Sequence, residues 1–308
     1  MFHFINARRI VTLAMIGAAF FLSSCQRPGA ESAEQLDDKN SVDRHLFDEL
    51  HVLCSGDWLL PNGAKLWVEE TRTIADASVN IQIRDQVARG VMTREYEHAY
   101  LCRFINETHV RVEFQTDEVS SRAIISGKPS PQPDQEGALH EQVILFARSG
   151  DGWQGELEAE QATPDQVSRI DIIADELNAY NDMLILGGAP REVGETWEID
   201  PSKLNSYAGA LKQMEGTFKV FFKTIVKYQG YHCAEIELAF NLAGVDPDGM
   251  EMRLAGKSVV LHSLDYQIPL SMEMMGEVTM VDTIQNGLGK MRTKGPIKVK
   301  RESTLTLP

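Results

Sequence analysis

The sequence predicts a β-rich α+β fold, with one large curved antiparallel sheet and about three short helices. Short segments rich in β-branched and aromatic residues, separated by turn residues, fill most of the chain from residue 58 onward. In the last third, apolar and polar residues alternate, which is typical of strands that bury one face. Helical spacing of apolar residues is confined to three short segments.

The composition argues against two kinds of partner. The chain has 308 residues and a formal net charge of −15, from 30 Lys+Arg and 45 Asp+Glu. Hydrophobic residues make up 43% of the chain, which is enough for a substantial core and argues against wholesale disorder. Nucleic-acid binding and an electrostatic grip on anionic lipid both need basic residues. The excess of acidic residues therefore argues against both kinds of partner.

The first 25 residues have the layout of an export signal. Arg8 and Arg9 precede the apolar stretch 10–22, and small residues follow it. Spanning a bilayer takes about 20 apolar residues, so this stretch is too short for a permanent anchor. Leu22-Ser-Ser-Cys25 resembles the lipobox of bacterial lipoproteins. The resemblance implies cleavage before Cys25 and lipid attachment to Cys25, whereas an ordinary signal peptide is the alternative.

The same resemblance implies where the mature chain resides. Gln26 follows Cys25, in place of the Asp that resembles an inner-membrane retention signal, and this favours the outer membrane facing the periplasm. We therefore expect a signal peptide at 1–24, a flexible tether at 25–43 and a β-rich globular domain at 44–308. Two lobes, 44–160 and 185–308, are the alternative organisation of that domain.

The first half of the domain is predicted to be mainly strand. A short helix capped by Ser41 precedes the strands and carries Leu46, Phe47, Leu50 and Leu53 on one side. The predicted strands are Ala64–Ile74, Val79–Gln86, Val91–Glu97, His109–Phe114, Arg122–Ser126, Leu139–Arg148 and Trp153–Glu158. The last two form a hairpin, because the Asp-Gly pair between them accommodates positive φ.

Helix signals return in the middle of the chain. Thr163-Pro-Asp-Gln166 combines an N-cap, a first-turn proline and a capping-box glutamine, which predicts a helix near 164–179. Asp200-Pro201 begins another helix. Between them, Pro190-Arg-Glu-Val-Gly-Glu-Thr-Trp197 resembles a Pro-x-x-Val-Gly-acidic-x-Trp segment of uncharacterised β-rich bacterial envelope proteins. That resemblance implies a β-rich envelope protein here as well.

The last third carries the candidate apolar-ligand face. Thr217–Tyr228 and Tyr231–Leu242 are predicted to be long strands, and a further strand includes Ile297. Alternating positions between them share one apolar face: Met250, Met252, Leu254, Leu270, Met272 and Met274. Methionine is over-used on surfaces that adapt to varied apolar partners. A curved sheet with such a concavity resembles periplasmic lipoprotein carriers, which hold acyl chains, whereas simple core packing is the alternative.

Neither a catalytic motif nor a metal-binding motif is present in the sequence. His98, His140, His232 and His262 are scattered on strands, without metal-ligand spacing. The acids around Asp246 and Asp248 are typical of a hairpin turn rather than of a calcium site. We therefore expect no enzyme activity, no metal and no cofactor.

Three cysteines accompany Cys25 in the mature chain. An oxidising envelope allows one disulfide and leaves one thiol over, with three pairings open. Cys54–Cys102 is the most local candidate disulfide, and buried thiols are the alternative. The basic run from Lys290 to Arg301 is typical of an edge strand protected by lysines, although a patch for an anionic partner is the alternative.

These patterns predict a lipid-anchored, non-enzymatic bacterial envelope protein that binds an apolar ligand or another envelope component. A structural or assembly lipoprotein without a small-molecule ligand is the alternative, and an envelope hydrolase is third. The expected partners are the membrane, through the N-terminal lipid, and an apolar small molecule or an envelope protein. Nucleic acid is not among them.

Overall fold

The computed structural model describes residues 44–55, 59–130, 134–150, 152–159, 161–178, 181–204, 212–245, 249–284 and 289–308. The expected signal peptide, the tether and Cys25 lie outside the described residues. The strands are β1 (Lys65–Ile83), β2 (Gln86–Asn106), β3 (His109–Ile125), β4 (Lys128–Pro129), β5 (Gln135–Glu136), β6 (Val143–Ser149), β7 (Gly152–Leu157), β8 (Thr196–Ile199), β9 (Lys212–Tyr228), β10 (Tyr231–Val245), β11 (Glu251–Ser263), β12 (Pro269–Ile284) and β13 (Gly289–Thr306). The helices are α1 (Pro164–Asn178) and α2 (Asn181–Leu186), and 3-10 turns occupy Arg44–Asp48 and Pro201–Leu204.

All strands belong to one open antiparallel sheet. Their order is β7-β6-β3-β2-β1-β13-β12-β11-β10-β9-β8, and β4 and β5 pair with β3 outside this path. The first and last strands of the chain lie side by side in the middle, from Lys65 opposite Thr306 to Ile83 opposite Gly289. Both predicted lobes therefore contribute strands to the same sheet, although the bounds of those lobes stay a prediction.

The structure confirms a β-rich antiparallel fold but describes two α-helices where about three helices were expected. The capping box of α1 forms as predicted: the Thr163 amide donates to Gln166 Oε1 (2.8 Å), and the Gln166 amide donates to Thr163 Oγ1 (3.3 Å). The prediction of an amphipathic helix after Ser41 is wrong. Among residues 44–55, which the structure describes, only the turn Arg44–Asp48 is helical, because His51 and Arg191 exchange backbone hydrogen bonds and hold the chain extended.

Several predicted strands are parts of longer ones. Ala64–Ile74 and Val79–Gln86 are joined in β1, which has a bulge between Ile74 and Ser78. Asp76 lies in this bulge with a φ of 46°, a backbone conformation that is also found in turns. The sequence therefore predicts two strands with a turn between them at this position. Pairing with β2 on one side and β13 on the other continues past the bulge, and this long-range pairing keeps the segment extended.

The sheet is strongly bent near the turn between β9 and β10. Tyr228 Oη, at the end of β9, donates a hydrogen bond to Glu302 Oε2 of β13 at 2.6 Å. Three strands separate β9 from β13, which is about 19 Å in a flat sheet. The two side chains cannot bridge that distance, so the sheet must bend to bring them together.

Three apolar clusters lie on the sheet. The methionine cluster contains Met214, Met250, Met252, Met272, Met274 and Met280, together with Leu53, Ile185 and Leu204 from segments outside the long strands. The α1 cluster joins Ile170 and Ile173 of the helix to residues that include Val68, Phe104, Val112 and Phe146. The tip cluster is small: Val79 and Ile81 are buried, with Ile83, Ala88, Met92, Ile125 and Met291 partly buried around them.

The sequence predicts that the basic run near the C-terminus protects an edge strand, and the structure contradicts this prediction. The basic run lies on β13, which is central because β1 and β12 flank it. Two of its outward lysines pair with acids of β12 instead: Lys294 with Glu277 (2.9 Å) and Lys298 with Glu273 (2.7 Å). Opposite charges on neighbouring strands stabilise the pairing modestly, and sequence reasoning missed them because the register was unknown.

We predict that Gly276→Ala destabilises the sheet by about 1–3 kcal/mol, because overpacking forces the backbone to shift. Gly276 faces Gly256 across β11 and β12, and a Cβ atom there would collide with the Ala255 carbonyl oxygen. Gly150→Ala is the matched control, since nothing lies within 4 Å of its Cβ position. Urea unfolding measures both free energies, and equal values for the two variants would contradict the prediction.

Candidate functional site

Charged and polar side chains interrupt the apolar inner face where β3, β2, β1 and β13 lie side by side. In one row across these strands, Asp117 faces His98, His98 faces Glu70, and Glu70 faces Arg301. We call this group and its buried neighbours the polar layer: Glu70, Arg72, Tyr96, His98, Tyr100, Asp117 and Arg301. Such groups are rarely buried unless they are paired, so their contacts decide what the layer can do.

Glu70 is held between two arginines. Arg72 Nε donates to Glu70 Oε1, and Arg301 Nη1 lies 3.5 Å from Glu70 Oε2. Burial would raise the pKa of Glu70, but the charges of Arg72 and Arg301 outweigh burial and hold it below its usual value. Arg301 Nη2 also donates to Tyr100 Oη at 2.8 Å. The carboxylate therefore ties β1 to β13, and Arg301 extends the contact to β2.

His98 and Asp117 form a second buried pair. His98 Nδ1 lies 2.9 Å from Asp117 Oδ1, and the Leu139 amide donates to Asp117 Oδ2 at 3.1 Å. Burial would raise the pKa of Asp117, but His98 and Arg169 of α1 lower it to about 2. Burial lowers the pKa of His98 more than the hydrogen bond with Asp117 raises it, and the charge of Arg72 lowers it further. At neutral pH the Asp117 carboxyl is therefore charged.

This pair resembles half of a hydrolytic triad, but a nucleophile is missing from the part of the chain that the structure describes. His98 Nε2 is buried and makes no hydrogen bond to a described residue, so no hydroxyl or thiol there is positioned for activation. The sequence predicts that His98 is a structural or exposed histidine, and it does not point to Asp117. The available signal was the inward parity of Glu70 and Arg72, which share a face with Val68 and Ile74.

The six residues of the candidate apolar-ligand face are all buried. Met250, Met252, Leu254, Met272 and Met274 belong to the methionine cluster, whereas Leu270 belongs to the α1 cluster. Leu53, Ile185 and Leu204 pack against the same cluster, from the N-terminal segment, α2 and the second 3-10 turn. Three short segments of the chain therefore cover this part of the sheet.

An open pocket lies at the far end of the β1–β2 hairpin, beside the tip cluster. Its volume is about 310 Å³, and it is lined by Ile81, Ile83, Gln86, Val87, Ala88 and Ser126. Met291 of the tip cluster faces Asp282 across β12 and β13, and the next inward pair is Met280 with Thr293. The open pocket and the methionine cluster therefore lie on the same inner face, with Met291, Thr293 and Asp282 between them.

The candidate disulfide between Cys54 and Cys102 does not form. Cys54 lies in the methionine cluster and Cys102 in the α1 cluster, so the fold separates the two sulfur atoms. Cys102 and Cys233 are buried thiols, and burial raises the pKa of each to about 12. A thiol that stays protonated is a poor nucleophile and a poor metal ligand.

Among the described residues, no three His, Cys, Asp or Glu side chains converge to hold a metal ion. Their helices are all too short or too polar to cross a bilayer.

Comparison with known proteins gives only distant likenesses. No family model and no curated protein matches the chain. A lipovitellin structure concerned with lipid–protein interactions is 10% identical with a TM-score of 0.32, and the match covers 81% of this chain but 25% of that one. The chain thus spans about a quarter of lipovitellin's length.

Two further similar structures are those of proteins from families of unknown function. A DUF1329 family protein from Desulfovibrio piger is 10% identical with a TM-score of 0.16, covering 77% of this chain and 85% of that one. A β-barrel-like DUF1849 protein from Brucella abortus is 8% identical with a TM-score of 0.22, covering 81% and 99%. At these scores, none of the three likenesses supports an argument about fold or function.

We predict that Glu70→Gln destabilises the protein by about 3 kcal/mol, because breaking a buried ion pair leaves charge without its counter-charge in a dry interior. Glu97→Gln is the control, since Glu97 is an exposed glutamate on the neighbouring strand and should change stability by less than about 0.5 kcal/mol. Urea unfolding at neutral pH measures both. A loss for Glu70→Gln no larger than that for the control would show that the layer does not depend on this carboxylate.

Proposed function

We propose that the protein is a lipid-anchored, non-enzymatic component of the bacterial envelope that binds an apolar ligand on the inner face of its sheet. The ligand enters at the tip pocket and extends along the methionine cluster. The lipobox sequence ending at Cys25 supports the anchor, and Gln26, in the place of a retention-signal Asp, supports outer-membrane placement facing the periplasm. The ligand class follows from the apolar side chains on this path.

The observation that carries the proposal is the open pocket beside a methionine-rich face. Apolar side chains form most of the pocket wall, and the hairpin leaves about 310 Å³ of space there. Ligand sites in proteins are mostly apolar clefts of about this size or larger. A pocket of this volume accommodates part of an acyl chain, and the rest needs space along the neighbouring cluster.

Methionine side chains can make that space by changing their conformation. Met272, Met274 and Met280 lie along β12 toward the tip, and each is buried in the ligand-free structure. Their unbranched thioether chains change rotamer readily, so they adapt to an inserted chain more easily than branched residues do. The cover consists of short segments, and displacing short segments breaks few contacts.

Close packing favours a second candidate, a structural or assembly lipoprotein without a small-molecule ligand. The buried methionine cluster is already filled by Leu53, Ile185 and Leu204. Under this alternative, the sheet is a scaffold for another envelope protein. The hydrolase remains third, because the pair of His98 and Asp117 has no nucleophile among the described residues.

We predict that the chain from Gln26 to Pro308, produced without lipid, binds a fluorescent fatty acid. Ala88→Phe should weaken this binding at least about tenfold, because the larger side chain fills the pocket that Ala88 lines. Met275→Phe is the control, since Met275 is 62% exposed on the outer face. Native mass spectrometry should detect a co-purified apolar adduct. If neither the adduct nor probe binding is found, the scaffold alternative is favoured.

We also predict that Cys25→Ser abolishes lipid attachment, because only a thiol is alkylated by the lipoprotein pathway that the lipobox implies. Mass spectrometry of the chain purified from membranes measures the acyl mass. The variant should remain as an uncleaved precursor or lose its membrane association after cleavage. An unchanged mass and membrane fraction would contradict the lipobox interpretation.

A further inference from the structure

The outer face at the tip of the sheet has a chemistry that differs from the rest of this acidic chain. We define the outer tip surface by six exposed residues at the ends of β2, β3 and β13: Val87, Arg89, Val91, Ile124, Lys290 and Arg292. Three are aliphatic and three are basic. The formal charge of the whole chain is −15, so a basic surface with exposed aliphatic residues calls for a specific explanation.

Strand register brings these residues together. Asn80 of β1 faces Arg89 on one side and Arg292 on the other. In the next row, Gln82 faces Val87 and Lys290. Neighbouring strands are about 4.8 Å apart, so each row spans about 10 Å. The basic and aliphatic side chains therefore form one continuous surface.

The three basic residues differ from those farther along β13. Lys294 and Lys298 pair with glutamates of β12. Lys290 and Arg292 face Thr283 and Val281 on that strand, neither of which is acidic. Across the described ranges, no acid forms an ion pair with Arg89, Lys290 or Arg292. Their charge is therefore directed to solvent.

The aliphatic residues are unusually exposed. Val87 is 55%, Val91 44% and Ile124 48% accessible. A single exposed valine needs no explanation, but three that are interleaved with basic side chains match an interfacial membrane site. Basic side chains attract anionic headgroups, and aliphatic side chains gain by leaving water at the headgroup boundary. A nucleic acid would use the charges but would leave these aliphatic residues exposed.

We propose that the outer tip surface docks on an anionic bilayer, giving the protein a second membrane contact besides its lipid. The three basic residues of this surface are separate from the proposed ligand path, because Arg89, Lys290 and Arg292 lie on the opposite face from the tip cluster, whereas Val87 also lines the open pocket. β1 is 19 residues long, about 60 Å, so docking by one end of the sheet orients the whole domain. Docking also brings the mouth of the tip pocket next to the lipid.

A fluorescent label at the tip tests the proposal on the full membrane-extracted chain. Val91→Cys lies in the outer tip surface, does not line the pocket and is labelled with an environment-sensitive fluorophore, while Met275→Cys is the control label on the outer face away from the tip. Cys54, Cys102 and Cys233 are buried, and the chain without an added cysteine measures background labelling. Each protein is reconstituted into phosphatidylcholine vesicles with or without phosphatidylglycerol, and brominated lipids report depth.

The label at position 91 should shift to the blue and be quenched by brominated lipid only when phosphatidylglycerol is present. The label at position 275 should stay in water. Removing two charges with Lys290→Gln and Arg292→Gln should lower the ratio of docked to undocked protein by about 30-fold, because each basic residue contributes a factor of about five. Lys257→Gln, an exposed lysine on β11, is the charge control and should leave the ratio unchanged.

Two results would overturn the proposal. One is a position-91 label that remains in water on phosphatidylglycerol vesicles, and the other is docking that persists unchanged in the double glutamine variant. Adding Ala88→Phe separates this proposal from ligand binding. Docking that survives a filled pocket supports the outer surface as the contact, whereas docking lost with the pocket shows that the inner face, and not the outer tip surface, makes the contact.

Discussion

Glu70 and Arg301 face each other in the middle of the sheet, and they come from the first and last long strands of the chain. If these strands did not pair, β1–β7 and β8–β13 would be two separate antiparallel stacks, each exposing a long edge. Closing a loop of that length is entropically costly, so the pairing needs contacts that only the complete chain can make. The buried carboxylate and its two arginines specify this pairing, because a shift in register would leave charges buried without partners.

The polar layer also divides the inner face. On β13, the inward positions run from Met291 at the tip through Ile297 and Val299 to Arg301. An apolar chain that enters at the tip can therefore follow Ile297 and Val299 but meets a charged boundary at Arg301. Extending past it would separate Glu70 from its arginines, which costs several kcal/mol. If the proposed ligand follows this route, the polar layer limits its length to the part of the sheet between the tip and Arg301.

Alternation in the sequence predicts most strands and the apolar side of each, because the period of two is local. It does not predict that β13 is central, since the register between the first and last strands is a long-range property. The lysines of β13 were therefore assigned to an edge, although they pair with β12. The polar layer was missed for a related reason. Glu70 and Arg72 share the inward parity of Val68 and Ile74, but charged residues within a strand are usually assigned to the solvent face.

Net charge is a poor guide to membrane contact for a sheet of this length. At physiological ionic strength, a charge is screened beyond about 8 Å, whereas β1 alone is about 60 Å long. Acidic residues elsewhere on the sheet therefore contribute little to the potential at its tip. The local set of Arg89, Lys290 and Arg292 determines whether the tip approaches an anionic leaflet. The formal charge of −15 keeps the rest of the domain away from that surface, so repulsion and attraction together favour contact through one end.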